Sequence, residues 1–210
     1  MVFDFDDTLV ESEAIKDGLF KEIFARFSAV ADAAWEFHRQ NGSKPRAEKF
    51  AWLAAKAFPR DEKRQKSCLE DCLKKFNERT REGVAAAPEV RGATALLSGL
   101  FGKVPLYVAS VNPHEELGFQ IRARGWDRYF RAYFGNPPLP KPEALKEVAS
   151  RERIDIREVL LIGDSQADRE AGKTAGTSFW IRKKEEQNGE WIDGKDLAVK
   201  LEDSLQQKNP

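Results

Sequence analysis

The chain has 210 residues, 41% of them hydrophobic and 33% charged, with Lys+Arg and Asp+Glu equal at 35 each. That size suits one large domain or a domain carrying an insertion, and the composition is that of a folded soluble chain. Balanced charge excludes a whole-protein field for nucleic acid or an anionic membrane. The first residues carry no signal-peptide pattern, no apolar run reaches spanning length, and Cys68 and Cys72 alone make no disulfide framework, so the sequence predicts a cytoplasmic protein.

The chain opens Met-Val-Phe-Asp-Phe-Asp-Asp-Thr-Leu. Val2, Phe3 and Phe5 favour a buried strand. Asp4, Asp6 and Asp7 then crowd three carboxylates into four positions, which a strand cannot bury unpaired, so the strand ends there, facing a cation or solvent. Asp4 and Asp6 leave the same side of an extended backbone. Together they offer hard oxygens suited to Mg2+ and a nucleophile beside a proton carrier. An edge strand running into an acidic turn is the plainer alternative.

Four helices come next. Ser12 is placed to cap one reaching about Arg26, with Ile15, Leu19, Ile23 and Phe27 at helical spacing. A second runs from Ala29 to about Gln40 and is broken by Asn41-Gly42-Ser43. Pro45 begins a third, which reaches Phe58 and is stopped by Pro59. A highly charged fourth spans Asp61 to about Arg81 on Leu69, Leu73 and Phe76. Cys68 and Cys72 share one face of it, as two buried or half-buried thiols. No strand signal occurs between Ser12 and Gly83.

From Pro88 the pattern changes to alternation. The predicted elements are a helix Glu89 to Phe101, a strand Val104 to Ala109, a helix Pro113 to Arg124 and a short strand near Ala132 to Phe134. A helix Pro142 to Arg151, a strand Val159 to Ile162, a helix Gln166 to Ala175 and a strand Ser178 to Ile181 complete it. Such alternation is the signature of βαβ units and a parallel sheet. The fold class is therefore α/β, a Rossmann-like three-layer core of residues 1–12 and 84–210, with an all-helical domain inserted at 13–83. The polar tail after Arg182 carries one predicted helix, Lys195 to Leu205.

Open α/β sheets bind ligands at the carboxyl ends of their strands. The segments leaving those ends are Asp4-Phe-Asp6-Asp7-Thr8, then Ser110 before the helix start Asn112-Pro113-His114-Glu115, then Lys141 in a proline-rich loop, then Gly163-Asp164-Ser165-Gln-Ala-Asp168. Taken singly, each has a plain reading: a small strand-end residue, a solvated loop lysine, a helix cap with a first-turn acid. Their joint order places an acid pair, a hydroxyl, a lysine and a second acid pair on one face.

These four stretches resemble, in order, the four motifs of the haloacid dehalogenase (HAD) superfamily. The helical insertion resembles the cap of its first subclass, shared by phosphoglycolate phosphatase-like and β-phosphoglucomutase-like members. The resemblance implies that Asp4 attacks phosphorus and that Asp6 serves as acid and base. It implies that Mg2+ is held by Asp4, the Asp6 carbonyl and Asp164 with support from Asp168, and that Ser110 and Lys141 hold the phosphoryl oxygens. Dehalogenating and phosphonate-cleaving branches lack the second aspartate, so Asp6 favours P–O chemistry. Two departures stand out: Asp7 replaces the commonest glycine, and Lys141 lacks the second proline that many members show after it.

The expected activity is a Mg2+-dependent phosphatase acting on a small phosphorylated metabolite, with a β-phosphoglucomutase-type phosphomutase and a non-catalytic phosphometabolite-binding module as alternatives. Neither nucleic acid nor membrane is an expected partner, and the sequence does not decide between monomer and dimer. Within the insertion, Arg46 and Lys49 lie just after a flexible break and are the candidates to meet a polar or anionic leaving group; an exposed basic helix start is the plain alternative. The stretch Gly-Ser-x-x-Arg-x-x-Lys-Phe also resembles HAD hydrolases of surface-polysaccharide biosynthesis, which leans toward a phosphosugar. His38 and His114 have no partner motif, and the five tryptophans read as packing residues.

Overall fold

The computed structural model describes residues 1–42 and 44–181; Ser43, Trp191 and the predicted helix Lys195 to Leu205 lie outside the described residues. The elements in chain order are β1 (Val2–Phe3), α1 (Glu13–Ala25), α2 (Ala31–Gln40), α3 (Arg46–Ala57), α4 (Glu62–Ala86), α5 (Ala93–Leu100), β2 (Tyr107–Ser110), α6 (His114–Ala123), β3 (Ala132–Gly135), α7 (Lys141–Glu152), β4 (Leu160–Gly163), α8 (Gln166–Ala175) and β5 (Ser178–Ile181). They fall into two compact units, one formed by Met1–Glu11 with the chain from Ala87 onward, the other by Ser12–Ala86.

The first unit is a five-stranded sheet in the order β3-β2-β1-β4-β5, with every pairing parallel. Parallel strands joined by helices are covered on both faces and read as near-continuous apolar runs. Val2, Phe3, Tyr107, Val108, Ala109, Leu161 and Ile162 are accordingly all buried. On one side Val2, Tyr107, Ala109, Phe134 and Leu161 pack with Leu145 and Val148 of α7. β1 is central, with Phe3 beside Val108 of β2 and Ile162 of β4. Residues just past β1, β2 and β4 therefore emerge side by side.

Two predicted starts in this unit move furthest. The helix expected from Glu89 begins at Ala93, because Glu89 pairs with Val10 in an antiparallel bridge and Gly92 turns at φ 85°. β2 begins at Tyr107, not Val104; Pro105 within the expected strand has no N–H for a ladder.

The second unit contains α1 to α4 and, among the described residues, no strand. Its core is aromatic: the rings of Phe20 and Phe76 lie 4.4 Å apart and those of Phe20 and Phe50 5.2 Å. α4 extends to Ala86, past the expected Arg81, because Phe76, Thr80 and Val84 continue one buried stripe at i,i+4. Cys68 and Cys72 are buried free thiols, and burial pushes the Cys72 pKa up to about 12, the behaviour of packing residues. Among the described residues no helix is long and apolar enough to cross a membrane.

Candidate active site

Asp4 leaves β1 with its amide donating to the Ile162 carbonyl at 2.8 Å, which sets it beside Gly163 and Asp164. The chain then turns tightly. The amides of Leu9 and Val10 both reach the Phe5 carbonyl, at 2.9 and 3.1 Å, and the Asp7 amide reaches the Val10 carbonyl at 2.6 Å. Asp7 sits in the left-handed region at φ 51°, where glycine is at ease and Asp is among the few tolerated alternatives. The turn carries Thr8 back so that its hydroxyl donates to Asp164 Oδ1 at 3.0 Å.

The second acid pair is built by a helix start. Ser165 caps α8: its Oγ accepts from the Asp168 amide, while its own amide donates to Asp168 Oδ2 at 3.1 Å and its hydroxyl to the same oxygen at 2.6 Å. The Asp168 carboxylate is thereby locked at 1% exposure. Gly163 leaves no room for a side chain, since a methyl group there would overlap the Asp168 carboxyl.

Lys141 opens α7 and reaches the same place. Its Nζ donates to Asp4 Oδ1 at 2.7 Å and also contacts Asp168 Oδ1. The loop that delivers it is tied down: Asn136 N–H donates to the Asn112 carbonyl at 2.9 Å, His114 N–H to the Pro137 carbonyl at 3.2 Å, and Leu139 N–H to the Gly135 carbonyl at 3.0 Å. Asp4, Asp164 and Asp168 each offer a carboxylate oxygen, all within 4.8 Å of one another. Three converging hard oxygens are a donor set that fits a Mg2+ ion.

Electrostatics here reflect that crowding. Burial pushes the Asp4 carboxyl well above its ordinary range; Lys141 opposes the shift, and Asp168, Asp164 and Asp6 reinforce it. Burial also raises Asp168, but Lys141 and the Ser165 hydrogen bonds outweigh it and leave that carboxyl below its ordinary value. Burial alone would lower the Lys141 ammonium, yet Asp4 and Asp168 overcome it and raise its pKa, so the lysine stays charged. The centre is a buried cation shared by two unlike carboxylates.

Of the residues singled out in the sequence, the structure thus gathers Asp4, Lys141, Asp164 and Asp168. Asp6 pairs with Val10 in a short parallel bridge and is half-buried. Ser110 ends β2 two positions beyond the Val108–Phe3 pair; it is buried, and its Oγ accepts the Asn112 N–H at 3.1 Å. Thr8 was not singled out, although its place directly after the acids was the available signal.

Arg46 and Lys49 belong to the helical unit. Arg46 donates to Asn77 Oδ1 at 2.7 Å and to the Thr80 hydroxyl at 3.5 Å, with its guanidinium 4.9 Å from the Phe76 ring centre. Lys49 is only 5% exposed; its Nζ donates to the Gly42 carbonyl at 3.3 Å, and burial lowers its pKa to about 8. His38, which has no local motif, pairs through Nε2 with Asp17 Oδ1 at 2.9 Å and stacks on Trp35 at 5.1 Å. Its partner lies on another helix, 21 positions away.

The family model described as haloacid dehalogenase-like hydrolase matches residues 1–181, and the chain belongs to that family. No curated protein matches it. Among solved structures it is similar to YfnB from Bacillus subtilis bound to magnesium (TM-score 0.65, 18% identity, covering 97% of this chain and 96% of that one). It is also similar to a HAD-superfamily hydrolase of subfamily IA from Geobacter sulfurreducens (0.59, 22%, covering 86% and 84%). A third is CbbY from Rhodobacter sphaeroides, an aspartate-to-asparagine variant in complex with xylulose-(1,5)bisphosphate (0.65, 17%, covering 87% and 84%). At these identities the likeness is one of fold.

Proposed function

We propose that the protein is a Mg2+-dependent phosphatase hydrolysing a small phosphorylated metabolite, with residues 1–12 and 84–210 as catalytic core and 13–83 as cap. The observation that carries the reading is the convergence of the Asp4, Asp164 and Asp168 carboxylates at the carboxyl ends of the strands, with Lys141 bound to Asp4 and Asp168. Asp4, Asp164, Asp168 and the Asp6 backbone carbonyl would hold Mg2+, which supplies positive charge that offsets phosphate repulsion and keeps the Asp4 carboxylate ionised. Likeness to a magnesium-bound neighbour supports the metal.

The chemistry assigned to the side chains is a two-step transfer. An Asp4 carboxylate oxygen attacks phosphorus; the bond to the leaving oxygen breaks as Asp6 gives that oxygen a proton. Water then attacks the aspartyl-phosphate with Asp6 taking its proton, the P–O(Asp4) bond breaks, and inorganic phosphate leaves. Lys141 and Ser110 hold the equatorial oxygens, where charge is spread in the transition state. Arg46 and Lys49 are proposed to meet the leaving group, with a sugar phosphate as the favoured class. A cytoplasmic location is part of the same reading.

The test is phosphate release from about a hundred phosphorylated metabolites with Mg2+ and with EDTA. Mg2+-dependent release from a subset supports a phosphatase. Isomer formation from a hexose 1-phosphate with trace bisphosphate, without free phosphate, replaces it with a mutase; no turnover at all replaces it with a binding module.

A further inference from the structure

Val10 is held on two sides. It bridges Asp6 in parallel and Glu89 in antiparallel fashion, so the acidic turn, the outgoing chain and the chain returning from α4 form one small ladder. Two backbone bonds fasten its outer half: Val90 N–H to the Leu9 carbonyl at 2.9 Å and Glu11 N–H to the Pro88 carbonyl at 3.0 Å. The returning chain is itself gripped from elsewhere. Arg124 Nη2 donates to the Ala87 carbonyl at 2.7 Å. Thr94 Oγ donates to the Glu89 carboxylate and accepts from Trp126 Nε1 at 3.0 Å. Arg124 and Trp126 flank Gly125, which turns at φ 65° after the end of α6 and lets both neighbours reach this segment. The Trp126 side chain is buried, and the Arg124 guanidinium lies 5.6 Å from its ring centre.

The turn these contacts support carries Asp6 and a non-glycine residue, Asp7, in the left-handed region. Such a conformation persists only where the surroundings over-determine it. Val10 is the point of attachment, and the grip on Val10 runs back to Arg124 and Trp126, just past the end of α6.

We propose that Arg124 is a positioning residue for the reaction: by holding the Ala87 carbonyl it fixes the returning chain against Val10, and through Val10 it fixes the turn bearing Asp6. Its catalytic consequence rests on the phosphatase reading; its structural consequence does not. A charged donor on a carbonyl is among the stronger protein hydrogen bonds, so its loss weakens the ladder by about tenfold in local opening.

The experiment compares the native chain with Arg124→Gln and Arg124→Lys by amide hydrogen exchange and by hydrolysis of p-nitrophenyl phosphate with Mg2+. Arg124→Gln is expected to speed exchange at the Glu11 and Val90 amides about tenfold, with the Tyr107 amide in the sheet unchanged. It is expected to lower kcat by about the same factor with little change in KM, and Arg124→Lys to recover part of both. Unchanged exchange at Glu11 and Val90, or equal acceleration at Tyr107, overturns the proposal. Should Arg124→Gln not fold, Thr94→Val, which removes the bonds to Glu89 and Trp126, is read by the same two amides. A native chain that releases no phosphate defeats the phosphatase reading alone, and the exchange rates still decide the clamp.

Discussion

Lys141 Nζ lies 2.7 Å from Asp4 Oδ1, although 137 positions separate them in the chain. The side chains of both are about nine-tenths buried, and Lys141 also meets the buried Asp168 carboxylate, which it holds ionised below its ordinary value. Breaking such a pair from one side leaves an uncompensated carboxylate, which is costlier than the pair is favourable. Lys141→Ala is therefore expected to lower stability by about 3–5 kcal/mol in EDTA, read by urea unfolding. Added Mg2+ should recover more stability in that variant than in the native chain. A variant as stable as the native chain without metal would show that Asp4 and Asp168 do not depend on the lysine.

Gly163 tests how closely the second acid pair is fitted. Its missing side chain is the space the Asp168 carboxyl occupies. Gly163→Ala should displace Asp168 and weaken Mg2+ affinity by about tenfold or more, measured by calorimetric titration, with a loss of about 1–3 kcal/mol in stability. Equal Mg2+ affinity in the two proteins would remove Asp168 from the metal's surroundings.

Much of this site was legible because its acids are local. Asp4 and Asp6 are two apart after an apolar strand, and Ser165 and Asp168 hold the spacing of a capping box, so short-range rules suffice to place them. The all-helical block and the alternating α/β remainder were legible from periodicity for the same reason. The order of strand ends brought distant segments to one face, but the individual contacts between them were not legible. Thr8 meets Asp164 across 156 positions and Arg124 meets Ala87 across 37, and no motif spans either pair. The neighbours of Glu89 favour a helix, whereas its backbone is taken by Val10, a tertiary partner that propensity does not see.

Lys49 gives a pH test within the helical unit. Burial lowers its pKa from 10.5 to about 8. Below about pH 8 the amine is charged both folded and unfolded, and the full penalty of burying the charge is present. Between about 8 and 10.5 the unfolded chain binds the extra proton, so this group makes stability rise with pH. The rise is up to about 3 kcal/mol. Lys49→Met should flatten the stability profile over that window and be the more stable protein near neutrality. Urea unfolding at several pH values checks it; an unchanged slope would mean that Lys49 is solvated in solution.

Asp7 tests the turn. At φ 51° a β-branched side chain is strained, whereas glycine is not. Asp7→Val should cost about 1–3 kcal/mol in urea unfolding, and Asp7→Gly should remain within about 1 kcal/mol of the native chain. Equal stability of the two variants would contradict the left-handed turn.

The most direct measurement replaces the first carboxylate. Asp4→Asn keeps the size of the side chain and removes the nucleophilic oxygen. Phosphate release with Mg2+, on whichever metabolite the native chain hydrolyses best, should fall by roughly a thousandfold or more while the variant still folds. Turnover by Asp4→Asn within a few-fold of the native rate would contradict a mechanism that passes through phosphorylated Asp4.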